Sequence, residues 1–133
     1  MTPTPAARSE IASLLDTWFA ALETCNPATV AALYAPDATL LPTISNKTRA
    51  TPEDIHAYFE RFLQLRPKGR KHAQNISVYE RVAINSGVYG FVTDGAESND
   101  ELICRFTFVY RKDAEGWKII EHHSSRMPEP IMP

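Results

Sequence analysis

The chain is poor in cysteine and carries no excess of either charge. Cys25 and Cys104 are its two cysteines in 133 residues. They lack CxxC spacing, so they build neither a disulfide framework nor a zinc site and read as reduced, half-buried thiols. Fourteen Lys and Arg against sixteen Asp and Glu leave a net charge of -2, which supplies no basic field for nucleic acid or an anionic membrane surface. No apolar run is long enough to span a bilayer, and Met1-Thr-Pro-Thr-Pro-Ala-Ala-Arg8 lacks the apolar stretch of a secretion signal. The expected location is cytoplasmic. No glycine motif suits a nucleotide, so no nicotinamide or flavin cofactor is expected. The histidines show no HxH or HxxxH spacing, and no metal is expected either.

What is present is ordinary core-forming material. Hydrophobic residues make up 44% and charged residues 23%, and a chain of this length buries roughly two thirds of its unfolded surface in one domain. Residues 1–7 and 128–133 read as flexible tails. Ile11, Leu14, Leu15, Trp18, Phe19 and Leu22 recur at helical spacing and predict an amphipathic helix. Asn26-Pro27 opens a short second helix with Val30, Leu33 and Tyr34 on one side, stopped by Pro36-Asp37. Ala38 to Leu41 suit a brief edge strand ended by Pro42. Thr51-Pro52-Glu53-Asp54 caps a third helix bearing Ile55, Tyr58, Phe59, Phe62 and Leu63.

After a basic turn, Arg66 to Lys71, the period changes to two. His72–Tyr79, Val82–Thr93, Leu102–Arg111 and Trp117–Ser125 read as strands. Turn signals stand at Asp94-Gly95, Asn99-Asp100 and Asp113 to Gly116. Helices first and hairpin-linked strands after them predict an α+β domain, a curved antiparallel sheet of about four to six strands wrapped around three N-terminal helices and a pocket. Phe106, Phe108 and Tyr110 alternate with Val109, so the sheet is apolar on both faces. The second face requires a partner, and another subunit is the expected one.

Two segments resemble a known family: Arg49-x4-Asp54-Ile-His56-x-Tyr-Phe-Glu60-x2-Leu63, and Phe108-Val-Tyr-Arg111-Lys-Asp113-x2-Gly116-Trp117-Lys-Ile119-Ile-Glu-His-His123-Ser-Ser125. They resemble the association (hub) domain of calcium/calmodulin-dependent protein kinase II, within the nuclear transport factor 2-like superfamily that also holds SnoaL-like cyclases and ketosteroid isomerases. The likeness spans about residues 8 to 128. It implies a cone-shaped, cystatin-like fold with a cavity between the first helix and the concave sheet. It further implies self-association through the sheet, as a homodimer or a larger ring. The kinase hub is not an enzyme and carries an arginine-lined pocket. The positions matching two of its pocket arginines are Thr107 and Ser124, with Arg105 and Arg126 two residues away on the same faces.

Several side chains are candidates for chemistry, each with a plain structural alternative. His122 and His123 must straddle the sheet, so at most one enters the cavity. Asp37 is the acid nearest the cavity mouth and a candidate base, whereas Pro-Asp-Ala is equally turn chemistry. Arg105 and Arg126, with His122 and Ser124, form a candidate site for an anionic or aromatic small molecule, or else pair with Asp37, Glu60 or Glu121. Trp18, Tyr34 and Tyr89 line the cavity or simply fill the core, and His56 is either a ligand contact or a helix-surface residue. Two functional classes follow: a homo-oligomeric, small-ligand-binding module without catalysis, or a cofactor-free isomerase, cyclase or hydratase moving a proton from Asp37 or a histidine. An open cavity with an isolated, shifted acid or histidine favours the enzyme; arginines in the cavity favour binding; a cavity filled by side chains favours a scaffold.

Overall fold

Thr4 sets the first turn of the chain, its side chain accepting the Ala7 N–H at 3.0 Å ahead of Pro5. Helix α1 therefore runs Pro5–Glu23, starting inside the stretch expected as a tail. The computed structural model describes residues 4–94 and 100–129. The turn signals at Gly95 and Asn99 and the tail from residue 130 lie outside them. Helix α2, Pro27–Ala31, is capped by Asn26, and helix α3, Pro52–Phe62, by Thr51 with Glu53 and Asp54 in its first turn. One tight turn, Leu63–Leu65, ends it where Arg66 adopts φ 50°.

The strands are β1 (Tyr34–Leu41), β2 (Lys68–Val78), β3 (Val82–Val92), β4 (Leu102–Asp113) and β5 (Gly116–Arg126). They form one five-stranded sheet in the order β1-β5-β4-β3-β2. The last four make the expected antiparallel meander, closed between β4 and β5 by a turn in which Gly116 takes φ 106°. The sheet is not wholly antiparallel: β1 runs parallel to β5, with Leu40 opposite His122.

Two local expectations are also corrected. Pro36 and Asp37 do not stop a helix; they sit exposed in an irregular stretch of β1 between Tyr34 and Thr39, where the register with β5 shifts. A proline without an N–H is tolerated at such a break in the ladder. The basic segment is a turn only at Arg66 and Pro67, because Lys68 already pairs with Val92 in β2.

Alternation along the strands divides the sheet into two faces. Tyr89, Phe91, Cys104, Phe106, Phe108, Tyr110, His122 and Ser124 are buried. They face α1 and α3, whose Ile11, Leu15, Trp18, Leu22, Ile55 and Phe59 complete the core. Each large side chain so removed from water contributes about 1.5–3 kcal/mol. Gly69 permits a close approach of α1 to β2, since a Cβ there would stand 2.2 Å from the Phe19 ring. On the opposite face Ser86, Val88, Thr107, Val109 and Ser125 are half-buried, while Arg105 and His123 are exposed.

Candidate ligand-binding site

The register between β4 and β5 pairs Phe108 with His122 and Phe106 with Ser124, which brings both polar side chains onto the helix-facing side of an otherwise apolar sheet. There they join a continuous chain of hydrogen bonds. Trp18 Nε1–H donates to the Tyr34 hydroxyl at 3.2 Å, and that oxygen lies 2.8 Å from His122 Nδ1. His122 Nε2 is 3.0 Å from the Tyr89 hydroxyl, which donates to Ser124 Oγ at 2.7 Å. Thr43 Oγ1 donates to the same Ser124 oxygen at 2.5 Å and carries the chain to the loop after β1.

Counting donors assigns the imidazole proton. Tyr89 spends its proton on Ser124, so Nε2–H donates to Tyr89; Nδ1 of the neutral ring is then an acceptor and takes the proton of Tyr34, whose oxygen accepts from Trp18. His122 is thus a neutral ring with both nitrogens engaged. Burial drives its pKa down to about 3, with a smaller contribution from His123. Burial likewise pushes Tyr34 and Tyr89 well above the usual phenol range. None of these groups exchanges a proton readily near neutrality, as general acid–base chemistry requires.

A narrow cavity opens beside this chain, between Trp18, Leu40, Tyr58, Phe59, Phe62 and the 42–44 loop, with Tyr89, His122 and Ser124 in its wall. Its volume is about 20 Å³, room for little more than one water. Aromatic rings occupy the rest: Trp18 stacks on Tyr89 with centroids 5.7 Å apart, and Tyr89 on Phe106 at 4.6 Å. Among the described residues no Asp, Glu, Lys or Arg lines it.

Trp18, Tyr34, Tyr89, His122 and Ser124 are therefore brought together, and the remaining candidates are not. Arg105 pairs across the ladder with Ser125, whereas Arg126 pairs with Cys104, so the two arginines lie on opposite faces and share no anion site. Arg105, Thr107 and His123 line a groove of about 450 Å³ on the outer face instead. Arg126 is exposed at the end of β5. Asp37 makes a bidentate ion pair with Arg111, both contacts 2.9 Å, and that guanidinium holds its carboxyl below the ordinary range. A solvated, ion-paired carboxylate is a poor base. His56 lies on the surface of α3 with Nδ1 2.9 Å from Glu60. Thr43 escaped sequence reasoning as a participant, and Arg49, which entered it only as the first residue of the family-like pattern, is buried at 8% exposure. No spacing rule marks a loop threonine or a pre-helical arginine as buried.

Residues 7–128 match the family model of the calcium/calmodulin dependent protein kinase II association domain. The chain belongs to that family. A crystal structure assigned to the same association domain, from Xanthomonas campestris, is 47% identical with a TM-score of 0.87, covering 96% of this chain and 94% of that one. A nuclear transport factor 2-like protein of unknown function from Pseudomonas putida KT2440 is similar at 20% identity and TM-score 0.80, over 92% and 87% of the two chains. A candidate dehydratase of the nuclear transport factor 2-like family from Streptomyces avermitilis gives 16% identity and TM-score 0.79, over 95% and 100%. At such identities the last two establish the shared fold alone. No curated protein matches the sequence. The association domain described here has the α+β, cystatin-like architecture expected of it, with a full interior.

Proposed function

We propose that this association domain is a non-catalytic assembly module that pairs with a second copy of itself through the outer face of β3, β4 and β5. The observation that carries this reading is a cross-strand patch, Ile84 opposite Val109 and Val88 opposite Arg105, with Thr107 between them. Its apolar members are only half-buried, because the helices pack on the other side of the sheet. A sheet with two apolar faces needs cover on both. Glu121, opposite Val109, adds a carboxylate oxygen that is buried and without a hydrogen bond among the described residues. Such an atom is costly unless a partner supplies a donor.

The interior supports the same choice over proton-transfer chemistry. His122 is too weak a base, Asp37 is outside, and the cavity is nearly filled. A ligand entering beside Tyr89 and Ser124 would be small and uncharged, since among the described residues no countercharge lines the wall.

Sedimentation velocity of the wild-type chain and of Val109→Glu tests the assembly. The wild type is expected to sediment as a dimer or larger, and the variant as a monomer with unchanged far-UV circular dichroism. A monomeric wild type at tens of micromolar, or an equally assembled variant, overturns the proposal.

A further inference from the structure

Arg49 is buried, whereas every cation of the ion pairs among the described residues is at least 32% exposed. It follows β1, bridged to it by paired backbone hydrogen bonds of 2.8 Å with Leu40, and its guanidinium passes under the first turn of α3. Its contacts are all neutral. Nη1 donates to the Asp54 carbonyl at 3.5 Å, Nη2 to Ser45 Oγ at 3.3 Å, and its carbon lies 5.8 Å from the centre of the Tyr58 ring. Nε is buried and has no hydrogen-bond partner among the described residues. The side chain of Asp54 is engaged elsewhere, by Lys47 at 3.4 Å. Among the described residues no carboxylate pairs with Arg49 or with Arg61.

A buried charge without a counterion costs several kcal/mol, and arginine cannot relieve it by losing its proton. The missing anion has a place to sit. Arg49 and Arg61 line one groove of about 360 Å³ together with Ser45, Gln64 and an apolar wall of Ile44, Tyr58, Phe62 and Leu65. Ile44 and Leu65 are each 45% exposed, an unusual display for large aliphatic side chains. The groove thus offers planar cationic donors at one point and uncovered hydrocarbon beside it. This is the complement of a small molecule with an oxyanion end and a short apolar or aromatic body.

We propose that the groove between the loop after β1 and helix α3 is a binding site for such a molecule, a carboxylate or phosphate monoester whose oxyanion is held by Arg49 and Arg61. The groove adjoins the nearly filled interior through the shared residues Ile44, Tyr58 and Phe62 and lies apart from the outer sheet face, so it stands whether or not the assembly reading does.

The test is a 1H–15N NMR titration that follows the Arg49 Nε–H resonance, with benzoate and phenyl phosphate as probes and benzyl alcohol as the neutral control. Benzoate or phenyl phosphate is expected to shift that resonance saturably, and benzyl alcohol is not. Arg61→Ser, a change on the exposed side of α3, is expected to weaken the oxyanion by about tenfold or more. Arg49→Lys, which keeps the charge but not the planar fork, is expected to weaken it as well. Stronger response to phenyl phosphate than to benzoate identifies a phosphate site, and the reverse a carboxylate site. An Arg49 signal that ignores both oxyanions, an equal response to benzyl alcohol, or an affinity untouched by Arg61→Ser overturns the proposal. Sedimentation of the same samples reports separately on assembly.

Discussion

The imidazole of His122 lies flat against the ring of Phe108, centroids 3.9 Å apart and planes 17° from parallel. Trp18 meets the same imidazole edge-on at 5.3 Å. The ring is thus enclosed by aromatic carbon, with a tyrosine hydroxyl at each nitrogen. This setting admits the neutral form and rejects the imidazolium.

The first consequence concerns acid. An unfolded His122 binds its proton near pH 6.5, whereas the folded one does so only near pH 3. Between those values the unfolded chain holds the extra proton, so the stability present above pH 6.5 is lost as pH falls toward 3, by up to about 1.4 kcal/mol per pH unit. Urea unfolding at pH 7, 5.5 and 4.5 should show this fall, and His122→Gln should flatten it. A slope identical in the variant would assign the acid sensitivity to other groups.

The tyrosines should be unequal to phenylalanine in a specific way. Tyr34→Phe leaves both Trp18 Nε1 and His122 Nδ1 without partners, and Tyr89→Phe strands His122 Nε2–H and leaves Ser124 Oγ accepting from Thr43 alone. Each loss should destabilise the fold by about 1–3 kcal/mol. The double variant should cost less than the two changes added, because both act through one ring. Denaturant midpoints of the four proteins measure this directly, and strict additivity would show that the hydrogen bonds are not coupled.

Gly69 should not accept a side chain. Its Cβ would press on Phe19 Cδ1, and that ring is wedged between Trp18 at 5.8 Å and Tyr89 at 6.2 Å. Gly69→Val is expected to cost about 1–3 kcal/mol by overpacking, and Phe19→Leu in the same chain should restore part of it. A Gly69→Val protein melting with the wild type would mean that α1 shifts away from β2 without penalty.

Much of this architecture was legible in the sequence, and the failures share one physical origin. The recurrence of Ile11, Leu15, Trp18 and Leu22 and the caps at Asn26 and Thr51 are local signals, and the helices stand where they point. Alternation puts His122 and His123 on opposite faces, and the structure buries His122 and exposes His123. Pairing between strands is not local. Arg105 and Arg126 share a face only in a register other than the one adopted, which opposes Cys104 to Arg126 and slips by a bulge between Val109 and Tyr110. The parallel seat of β1 beside β5, and with it the irregular Pro36-Asp37 stretch, likewise depends on residues some 85 positions away. Arg49 escaped for the same reason: its burial follows from its bridge to Leu40 and its seat under α3.

The seat of β1 beside β5 also orders events in time. Ile119 N–H donates to the Leu33 carbonyl at 3.0 Å, and Leu40 lies opposite His122, so among the described residues the first strand finds its ladder neighbour in the fifth. Until residues 116–126 have emerged, α1 holds Trp18 and β1 holds Tyr34 with neither His122 to receive them nor an edge to shield. Closing a loop of that span is an entropic cost met before any of its contacts form. Residues 116–126 therefore complete two things at once, the hydrogen-bonded aromatic interior and the pairing of the first strand.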